Sequence, residues 1–346
     1  MGPGLGAGGN PTTGRELALA SLNQIKAAFD DGTKMVFITA GMGGGTGTGA
    51  SPVIAHEARE RGILTIGIVT IPFLFEREKQ IDKALDGLEA LAEEVDAVLV
   101  INNQRLCDIY SDLSITNAFK RADETLSTAV RSITDIISMH GRVNLDFQDV
   151  KTTLTNGGVA VMSTGYAEGE NRVARAINEA LNSPLLNNND IFKATHILLA
   201  ITTSNDEDAM LQTSEMGEVS EFMEKFNSEI ETKWGLAFDA NLGKKIKITI
   251  IASGFGLYGA KKQSTSIPIV EEEPEAVEEK NEEKFSRRGR FYSISGKKYR
   301  PRPRFYIFSD DDLRNPEVLQ RVEDVPTSKR TAEYLKQIKE VSNTNY

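Results

Sequence analysis

A run of glycines and threonines between a strand signal and a helix signal constrains this chain most. Residues 35–40 predict a buried strand, residues 41–50 hold the glycine-rich loop, and residues 51–55 predict a helix start with Pro52 in its first turn. Glycines let a backbone approach a ligand closely and adopt positive φ, and a helix N-terminus adds positive potential. A strand, such a loop and a helix in this order are typical of phosphate binding.

The residue order of this loop excludes two common phosphate-binding motifs. A dinucleotide fingerprint needs G-x-G-x-x-G with an acidic residue about 20 positions later, and a Walker A loop ends in Gly-Lys-Ser/Thr. Neither pattern is present. Because the loop has no lysine, backbone amides, hydroxyls and a metal ion must meet the phosphate charge. The alternative interpretation, a flexible glycine linker, fits poorly between so clear a strand and so clear a helix.

A second glycine-rich loop, residues 4–11, precedes a helix predicted over residues 15–29. Strands predicted over 64–71 and 97–101 flank a further amphipathic helix, and this alternation predicts a parallel sheet wound by helices. Ligands of such sheets bind at the carboxyl ends of the strands, and Glu76 and Asn103 both follow strand ends on that side.

A long helix is predicted from about residue 114 to 139. Phe119 and Asp123 are four residues apart, so they share one face of it. An aromatic ring and a carboxylate suit guanine, whose N1–H and 2-amino group are donors that adenine lacks. By pattern alone, however, Phe119 fits a core position better than a base contact.

The run at 43–49 resembles the signature of the tubulin and FtsZ superfamily of GTPases. Asn144, Asp146 and Asp149, as Asn-x-Asp-x-x-Asp, match the catalytic loop of the FtsZ family. The resemblance covers residues 4 to about 257, and it favours a base contact for Phe119 over a core position. It implies an α/β, tubulin/FtsZ-like fold, in which a Rossmann-like parallel-sheet GTPase domain is joined by a long central helix to a second α/β domain, with a disordered C-terminal tail.

The resemblance also implies domain boundaries and a ligand, GTP or GDP with Mg²⁺. The boundaries are 1–113 for a GTP-binding domain incomplete at its N-terminus, 114–140 for the central helix, 141–258 for the second domain with the catalytic loop, 259–304 for a charged disordered linker, and 305–346 for a partner-binding segment. The implied nucleotide-binding residues are Ala7, Gly8, Gly9, Asn10, Gly43, Gly44, Gly45, Thr46, Gly47, Thr48, Gly49, Glu76, Gln80, Asn103, Phe119 and Asp123.

Individual roles follow from the resemblance. Residues 7–9 are expected beside the terminal phosphate, Glu76 at the ribose and Asn103 at the sugar or base. Gln80 stands where the family usually has arginine, so a cationic contact is either missing or supplied by Arg77 or Lys79. The three histidines are scattered without ligand spacing, so no protein metal site is assigned to them.

Helix geometry separates the catalytic loop from the nucleotide of its own chain. The twenty residues from Phe119 to Met139 rise about 30 Å. Asp146 and Asp149 would therefore serve a nucleotide bound by a neighbour stacked head to tail, and such heterologous contacts build filaments when they do not close. We expect these carboxylates to orient the attacking water and Asn144 to position the loop. An ordinary helix cap at Asn144 or Asp146 remains compatible with this role.

Composition narrows the compartment and the partners. The net charge of −10 argues against generic nucleic-acid binding, and a single cysteine, Cys107, excludes a disulfide framework and favours a reducing cytoplasm. The resemblance implies a cytoplasmic homopolymer at the division site. It also implies division proteins and membrane anchors as partners, because 325–330 loosely resembles the peptide by which the family docks on anchors.

Two stretches of the second half give weaker signals. Alternation of Lys245, Lys247 and Thr249 with isoleucines predicts one solvated face of a strand. Glutamates crowd 271–283 and lysines and arginines crowd 287–304, a composition typical of disorder. The aromatic residues among the basic ones permit nucleic-acid or anionic-lipid contact, but a solvated linker is the favoured interpretation.

The family has a further glycine loop and further strands before the region matched by residues 4–11. We therefore expect that the sequence is truncated at its N-terminus, that a strand edge is exposed, and that a chain truly starting at Met1 binds GTP weakly. Two rival functions follow. One is a truncated structural or regulatory fragment that joins or caps filaments without binding GTP itself. The other is a nucleotide-dependent oxidoreductase, but the loop at 41–50 lacks the fingerprint glycines of that class.

Overall fold

A computed structural model describes residues 5–110, 114–183, 191–226, 230–255, 284–292 and 314–325, together with Tyr334 and Ile338. The chain divides into two compact units, Met1–Tyr299 and Arg300–Tyr346. In the described part of the chain, no helix combines the length and the apolarity that a membrane span requires.

The first unit is built on one mixed sheet with helices on its faces. The strands are β1 Met35–Gly41, β2 Leu64–Ile71, β3 Ala97–Asn102, β4 Gly141–Val143, β5 Gly158–Ala167, β6 His196–Thr203, β7 Glu231–Phe238 and β8 Ile246–Phe255. The helices are α1 Pro11–Ala20, α2 Leu22–Ala28, α3 Thr46–Arg59, α4 Glu78–Glu94, α5 Asn103–Ile109, α6 Ile115–Ser138, α7 Phe147–Leu154, α8 Arg172–Leu181, α9 Met216–Met223 and α10, residues 284–292.

The strand order is β1-β2-β3-β5-β8-β6-β7-β4. Strands β1, β2, β3 and β5 run parallel, whereas β8 is antiparallel to both β5 and β6. The parallel sheet predicted for the first half is therefore confirmed, and the sheet continues through β3 and β5 into the second half. Strand β1 lies at one edge, where β2 is its only strand partner among the described residues.

Both faces of the parallel half are covered, as its continuous apolar strands require. Ile66 and Ile68 of β2 face α6, and Val69 and Ile71 face the side that α4 covers. Helices α8 and α9 pack in a third core against β5, β6 and β8. The parallel half of the sheet thus carries α6 on one face and α3 and α4 on the other.

Helix α6 lies within the range predicted for the central helix. It begins where the Ser114 hydroxyl accepts a hydrogen bond from the Asn117 backbone N–H at 3.3 Å, which caps its first turn. Ala118, Ala122 and Ala129 are buried, so small side chains form the contact with the sheet. Its 24 residues correspond to a length of about 36 Å.

Helix boundaries differ from prediction around both glycine loops. Helix α1 begins at Pro11, because Asn10 accepts a hydrogen bond from the Thr12 backbone N–H at 3.1 Å, and the segment predicted as one helix breaks at Ser21 into α1 and α2. Helix α3 begins at Thr46 inside the glycine-rich run, so Pro52 lies in its interior rather than in its first turn. Half of the glycine signature is therefore helical.

The predicted solvated face of β8 is wrong, because α6 lies over it. Lys247 forms an ion pair with Asp135 of α6 at 3.0 Å, and Thr249 is buried. Polar and apolar residues do alternate along β8, but Lys247 and Thr249 contact side chains of other elements.

The prediction of a disordered linker is wrong for residues 284–292. They form α10, which packs against α4 within the first unit. In the second unit, α11 spans Pro316–Asp324, and Asn315 caps it by accepting from the Glu317 backbone N–H at 3.0 Å. Tyr299 and, apart from Val325, the segment that resembles an anchor-docking peptide lie outside the described residues.

Candidate functional site

The carboxyl ends of β1, β2 and β3 lie side by side and carry most of the predicted nucleotide-binding residues. Gly41 at the end of β1 pairs with Thr70, and Ile71 at the end of β2 pairs with Asn102. The backbone N–H of Met42 extends this contact by donating to the Thr70 carbonyl oxygen at 2.9 Å. The loops after β1, β2 and β3 therefore leave the sheet side by side at the carboxyl ends of these strands.

The two glycine loops, residues 5–10 and 41–45, are in direct contact. The backbone N–H of Ala7 donates to the Thr46 hydroxyl at 3.3 Å. A Cβ on Gly45 would lie only 2.8 Å from both the Ala7 Cβ and the Asn10 backbone nitrogen. Glycine at position 45 is thus a condition for the approach of the loops.

The helices behind the loops also approach through glycine. A Cβ on Gly49 of α3 would overlap the Pro11 carbonyl oxygen and lie 2.7 Å from the Arg15 backbone nitrogen, and one on Gly14 of α1 would overlap the Gly45 carbonyl oxygen. Because α1 and α3 meet backbone to backbone, both loops are held at their helical ends.

The front of the two loops is open. Apart from the adjacent residues of each glycine, no atom of the described residues lies within 4 Å of where a Cβ on Gly8, Gly9 or Gly44 would be. Gly8 and Gly9 have φ values of 59° and 73°, and Gly43 has 97°, a backbone conformation that favours glycine. The backbone N–H of Gly43 is held by the Thr48 hydroxyl at 2.9 Å. Backbone geometry of this kind forms concave sites for anions.

Sequence reasoning missed the cation beside these loops. Lys83 of α4 donates from its ammonium group to the Gly9 carbonyl oxygen at 2.7 Å. Gln80, one turn earlier on α4, lies against the second loop, since a Cβ on Gly43 would be 3.0 Å from its carbonyl oxygen. Lys83 is three residues after Gln80 and so lies on a similar side of α4, but this spacing does not reveal the contact with Gly9, and the prediction named Arg77 or Lys79 instead.

The turn after β2 is tied to the turn after β3. Glu76 accepts the backbone N–H of Phe73 at 2.9 Å, and the Gln104 side chain accepts the backbone N–H of Leu74 at 3.1 Å. Glu76 is half-buried and lies in the short 3₁₀ turn Leu74–Glu76. The predicted ribose contact and the first residues of α5 are therefore neighbours.

Asn103 carries an unusual polar atom. Its side chain is only 6% exposed, and its Oδ1 is buried without a hydrogen-bond partner among the described residues. Buried acceptors normally have a partner, and leaving one unpaired costs free energy. An unpaired acceptor at the carboxyl end of β3 fits a position that a ligand donor completes.

Phe119 is not a core residue, since 45% of it is exposed. Its ring packs edge to face on Phe73, with centroids 4.9 Å apart, and Phe73 stacks on Phe75 at 4.9 Å. Asp123, four residues later on α6, is exposed as well. The ring and the carboxylate stand on one face of α6 next to the turn after β2.

The loop of Asn144, Asp146 and Asp149 follows the other end of α6. Asn144 accepts the backbone N–H of Gly141 at 2.8 Å. Asp146 caps α7 by accepting the backbone N–H of Asp149 at 3.0 Å, and Asp149 accepts that of Asp146 at 3.0 Å in return. The capping alternative is therefore observed, and it holds both carboxylates in one orientation.

A second residue that sequence reasoning missed is Lys233 of β7, whose ammonium group lies 2.9 Å from Asp149 Oδ1. Burial of Asp149 raises the pKa of its carboxyl, but hydrogen bonds from the Asp146 backbone and from Lys233 outweigh burial and lower that pKa overall. The hydrogen bond to Asp149 raises the pKa of Lys233. Asp149 is thereby kept ionised and fixed in position.

The two groups of residues lie at opposite ends of α6. Phe119 is near its first turn, whereas the loop with Asp146 follows its last residue, Ser138. Helix length alone separates them by about 28 Å. The structure thus gathers the glycine loops, Glu76, Gln80 and Asn103 at one edge and leaves the carboxylate pair far from them.

Comparisons with known proteins identify relatives of both halves of the chain. Residues 2–111 match the Tubulin/FtsZ family GTPase domain, residues 158–256 the FtsZ family C-terminal domain, and residues 300–345 a further FtsZ C-terminal family. The cell division protein FtsZ of Porphyromonas gingivalis is 46% identical over 349 residues, which cover 97% of this chain and 75% of that protein. FtsZ of Pseudomonas aeruginosa is 44% identical over 74% of this chain and 65% of its own length.

A solved structure from Methanocaldococcus jannaschii, described as an empty FtsZ dimer, is similar with a TM-score of 0.66 and 38% identity. It covers 77% of this chain, and this chain covers 79% of it. The expectation drawn from the glycine signature and the Asn-x-Asp-x-x-Asp loop is therefore confirmed: this chain belongs to the FtsZ family of cell division proteins, and its first 111 residues carry the GTPase domain of the Tubulin/FtsZ family.

Proposed function

We propose that this chain binds GTP at the edge formed by β1, β2 and β3 and polymerises head to tail. The carboxylates of one subunit then complete the hydrolytic site of the next. The observation that carries the proposal is the separation of the glycine loops from Asp146 and Asp149 by the length of α6. A subunit built in this way needs a neighbour to bring both groups to one phosphate.

The phosphates occupy the concave side of the two glycine loops. Backbone N–H groups and the N-termini of α1 and α3 supply the positive potential, and Lys83 adds a cation beside Gly9. Support for this assignment comes from the open space in front of Gly8, Gly9 and Gly44. Lys83 supplies the cationic contact that Gln80, which is uncharged, cannot make.

The nucleoside lies toward the turns after β2 and β3. Glu76 binds the ribose, and the unpaired Asn103 Oδ1 accepts a donor from the sugar or base. Phe119 stacks on the purine, and Asp123 accepts the N1–H and 2-amino donors of guanine. The exposure of the Phe119 ring supports this role, because a core phenylalanine would offer no face to a ligand.

The residues present fit a Mg²⁺ ion that arrives with the nucleotide. Within the described ranges, no three His, Cys, Asp or Glu side chains form a cluster of metal ligands. Mg²⁺ commonly keeps several waters and binds substrate phosphates rather than a cage of protein ligands. When bound, the ion neutralises phosphate charge during transfer.

Asp146 and Asp149 position the attacking water at the junction, and Asn144 keeps the loop in shape. Phosphoryl transfer depends mainly on positioning and charge stabilisation, so two fixed carboxylates suit the task. The reciprocal capping bonds and the Lys233 contact supply the rigidity. The resulting filament scaffolds cell division in the cytoplasm, and the C-terminal segment binds division proteins and membrane anchors.

Mixing two inactive variants tests hydrolysis between subunits. Asp149→Ala removes the carboxylate and keeps the glycine loops, whereas Gly45→Ala drives the loops apart and keeps the carboxylate. Each variant alone should lose about 100-fold or more of the GTPase rate. An equimolar mixture should recover part of the parent rate, because one type of junction pairs an intact phosphate site with an intact Asp149.

Gln148→Ala serves as the matched control, since Gln148 lies between the two carboxylates in sequence and is exposed. It should keep the parent rate alone and in mixtures. A mixture whose rate is only the sum of the two separate variants would contradict the proposal.

Titration with fluorescent GTP separates this function from the alternative of a fragment that caps filaments without nucleotide. Stoichiometric binding that competes with GDP supports the GTPase. Failure to bind, together with shortening of filaments formed by a complete relative, supports the capping fragment.

A further inference from the structure

An acidic stripe runs along one face of α4. Glu78, Asp82, Asp86 and Glu89 follow one another at intervals of four, four and three residues, a spacing that places side chains on one side of a helix. None of these carboxylates is among the predicted nucleotide contacts. In the described part of the first unit, the element that lies against the stripe is α10.

Two consecutive arginines of α10 bind the stripe. Arg288 donates from Nε and Nη2 to the two carboxylate oxygens of Asp82, each at 2.6 Å, and its Nη1 lies 2.8 Å from Glu78. Arg287 lies 2.8 Å from Asp86 and 2.9 Å from Glu89. The Arg288 side chain is only 11% exposed, so these forked, charge-assisted bonds are screened less than ordinary surface pairs.

Two aromatic residues at the end of α10 enter the apolar core beside α4. Phe291 is 9% exposed and Tyr292 is 4% exposed, and both belong to the cluster that contains Ile71 and Ile81. Burial of two aromatic side chains is a large apolar contribution that a solvated linker would not make.

Hydrogen bonds fix the aromatic end. The Tyr292 hydroxyl donates to the Pro72 carbonyl oxygen at 2.7 Å, and the Asn102 side-chain amide donates to the Phe291 carbonyl oxygen. Pro72 and Asn102 are the residues where the chain leaves β2 and β3. We call the acidic stripe together with this Pro72–Asn102 notch the α4 surface.

We propose that the α4 surface is a docking site for a basic–aromatic peptide and that residues 284–292 of the same chain occupy it. On the α4 surface, the four carboxylates lie next to an apolar recess that ends in the Pro72 carbonyl oxygen and the Asn102 amide group. Along α10, two arginines face the carboxylates and two aromatic residues enter the recess. Docking anchors the linker behind the turn that leads to Glu76 and beside Asn103. None of the residues of the α4 surface is a predicted nucleotide-binding residue.

Tethering favours the chain's own segment over one from a neighbour. The 28 residues between Phe255 and Lys284 reach at most about 100 Å when extended. Phe255 itself packs against the apolar cluster that Phe291 and Tyr292 join, so both ends of the tether lie close to the same core. A segment held on such a tether has an effective concentration far above that of free chains in dilute solution. The occupancy in one chain should therefore not depend on protein concentration.

Hydrogen–deuterium exchange of the full chain tests the proposal. Amides of 284–292 should be protected in the parent, and Asp82→Arg should speed their exchange about tenfold or more because it replaces a forked pair by a repulsion. Glu93→Arg is the matched control: it makes the same charge change on α4, one turn beyond Glu89, at an exposed site. It should leave the exchange of 284–292 unchanged.

A charge swap distinguishes docking from a general loss of structure. Combining Asp82→Arg with Arg288→Asp should restore protection of 284–292, and amides of β2 should stay protected in every variant. Unprotected amides in the parent, or equal exchange in parent and Asp82→Arg, would overturn the proposal. Protection that disappears on dilution would place the segment on a second copy and overturn its assignment to the same chain.

Discussion

Two regions of the molecule are held in shape by different forces. We call them the nucleotide edge, which is the proposed GTP site at the carboxyl ends of β1, β2 and β3 with both glycine loops, and the carboxylate loop, residues 144–149. At the nucleotide edge, backbones approach so closely that a single Cβ at Gly45 or Gly49 would meet main-chain atoms. At the carboxylate loop, Asp146 and Asp149 are held by side-chain hydrogen bonds and one ion pair. The first region depends on the absence of side chains, and the second depends on their charge.

This difference determines how each region should respond to substitution. Backbone contacts fail when an atom is added, regardless of pH or salt, because overlap is a short-range effect. Charged contacts weaken gradually and depend on protonation. Substitutions in the two regions should therefore differ in size and in pH dependence.

The largest expected effect comes from one methyl group at the nucleotide edge. Gly49→Ala places a Cβ against the Pro11 carbonyl oxygen and the Arg15 backbone nitrogen, so α1 and α3 must separate. We expect a loss of about 3 kcal/mol in the free energy of unfolding, measured by urea denaturation.

Gly44→Ala is the matched control, because in the part of the chain that the structure describes its Cβ would have no non-adjacent residue within 4 Å. It should change the free energy of unfolding by no more than about 0.5 kcal/mol. Equal effects of the two substitutions would show that the close approach of α1 and α3 does not limit stability.

A smaller effect is expected at Asn103, where the two properties of the nucleotide edge can be separated. Its Oδ1 has no partner among the described residues, so Asn103→Leu removes an unpaired acceptor and should change stability by less than about 1 kcal/mol. Nucleotide affinity should nevertheless fall about tenfold, since the ligand's hydrogen bond is lost. Fluorescent GDP titration and urea denaturation measure the two quantities.

Asn102→Leu should have the larger effect on stability and the smaller effect on nucleotide affinity. The Asn102 side chain accepts from the Gln104 backbone N–H at 2.9 Å as the cap of α5 and donates to Phe291. Its loss should cost about 1–2 kcal/mol of stability. If Asn103→Leu proved the more destabilising of the two, its Oδ1 would have a structural partner.

The same comparison explains what sequence could predict. The glycine loops, the strand before the second loop and the capping of α7 at Asp146 depend on residues close together in the chain, and local patterns identify them. The parallel half of the sheet followed from the alternation of strands and helices. The start of α3, in contrast, was predicted five residues too late, because a glycine-rich run gives no helix signal.

Contacts between distant charges had no local signal. Lys83 lies 74 residues from Gly9, and Lys233 lies 84 residues from Asp149. Basic residues of 284–292 have the composition of a solvated linker, and their partners, the carboxylates of α4, lie about 200 residues away in the chain. The face of β8 that reads as solvated is covered for the same reason, since Lys247 finds Asp135.

The smallest expected effect, at Lys233, separates the two regions by pH. Because the folded-state pKa of Asp149 is lowered, its ionisation stabilises the protein above the unfolded pKa of about 3.9 and loses that contribution as pH falls through the folded value. Lys233→Met removes a cause of the lowering, so it should cost about 0.5–1 kcal/mol near pH 7. The difference from the parent should vanish at the acid end, where Asp149 is protonated in both proteins.

Urea midpoints from pH 7 down to about pH 2, well below the ordinary aspartate pKa, measure this convergence, and the carboxyl carbon resonance of Asp149 should titrate at a higher pH in the variant. Lys233→Arg keeps the charge and should stay closer to the parent throughout. Gly49→Ala, in contrast, should lose the same free energy at every pH, because steric overlap does not titrate. A loss at Lys233 that is independent of pH would mean that its alkyl chain, rather than its charge, supports the carboxylate loop.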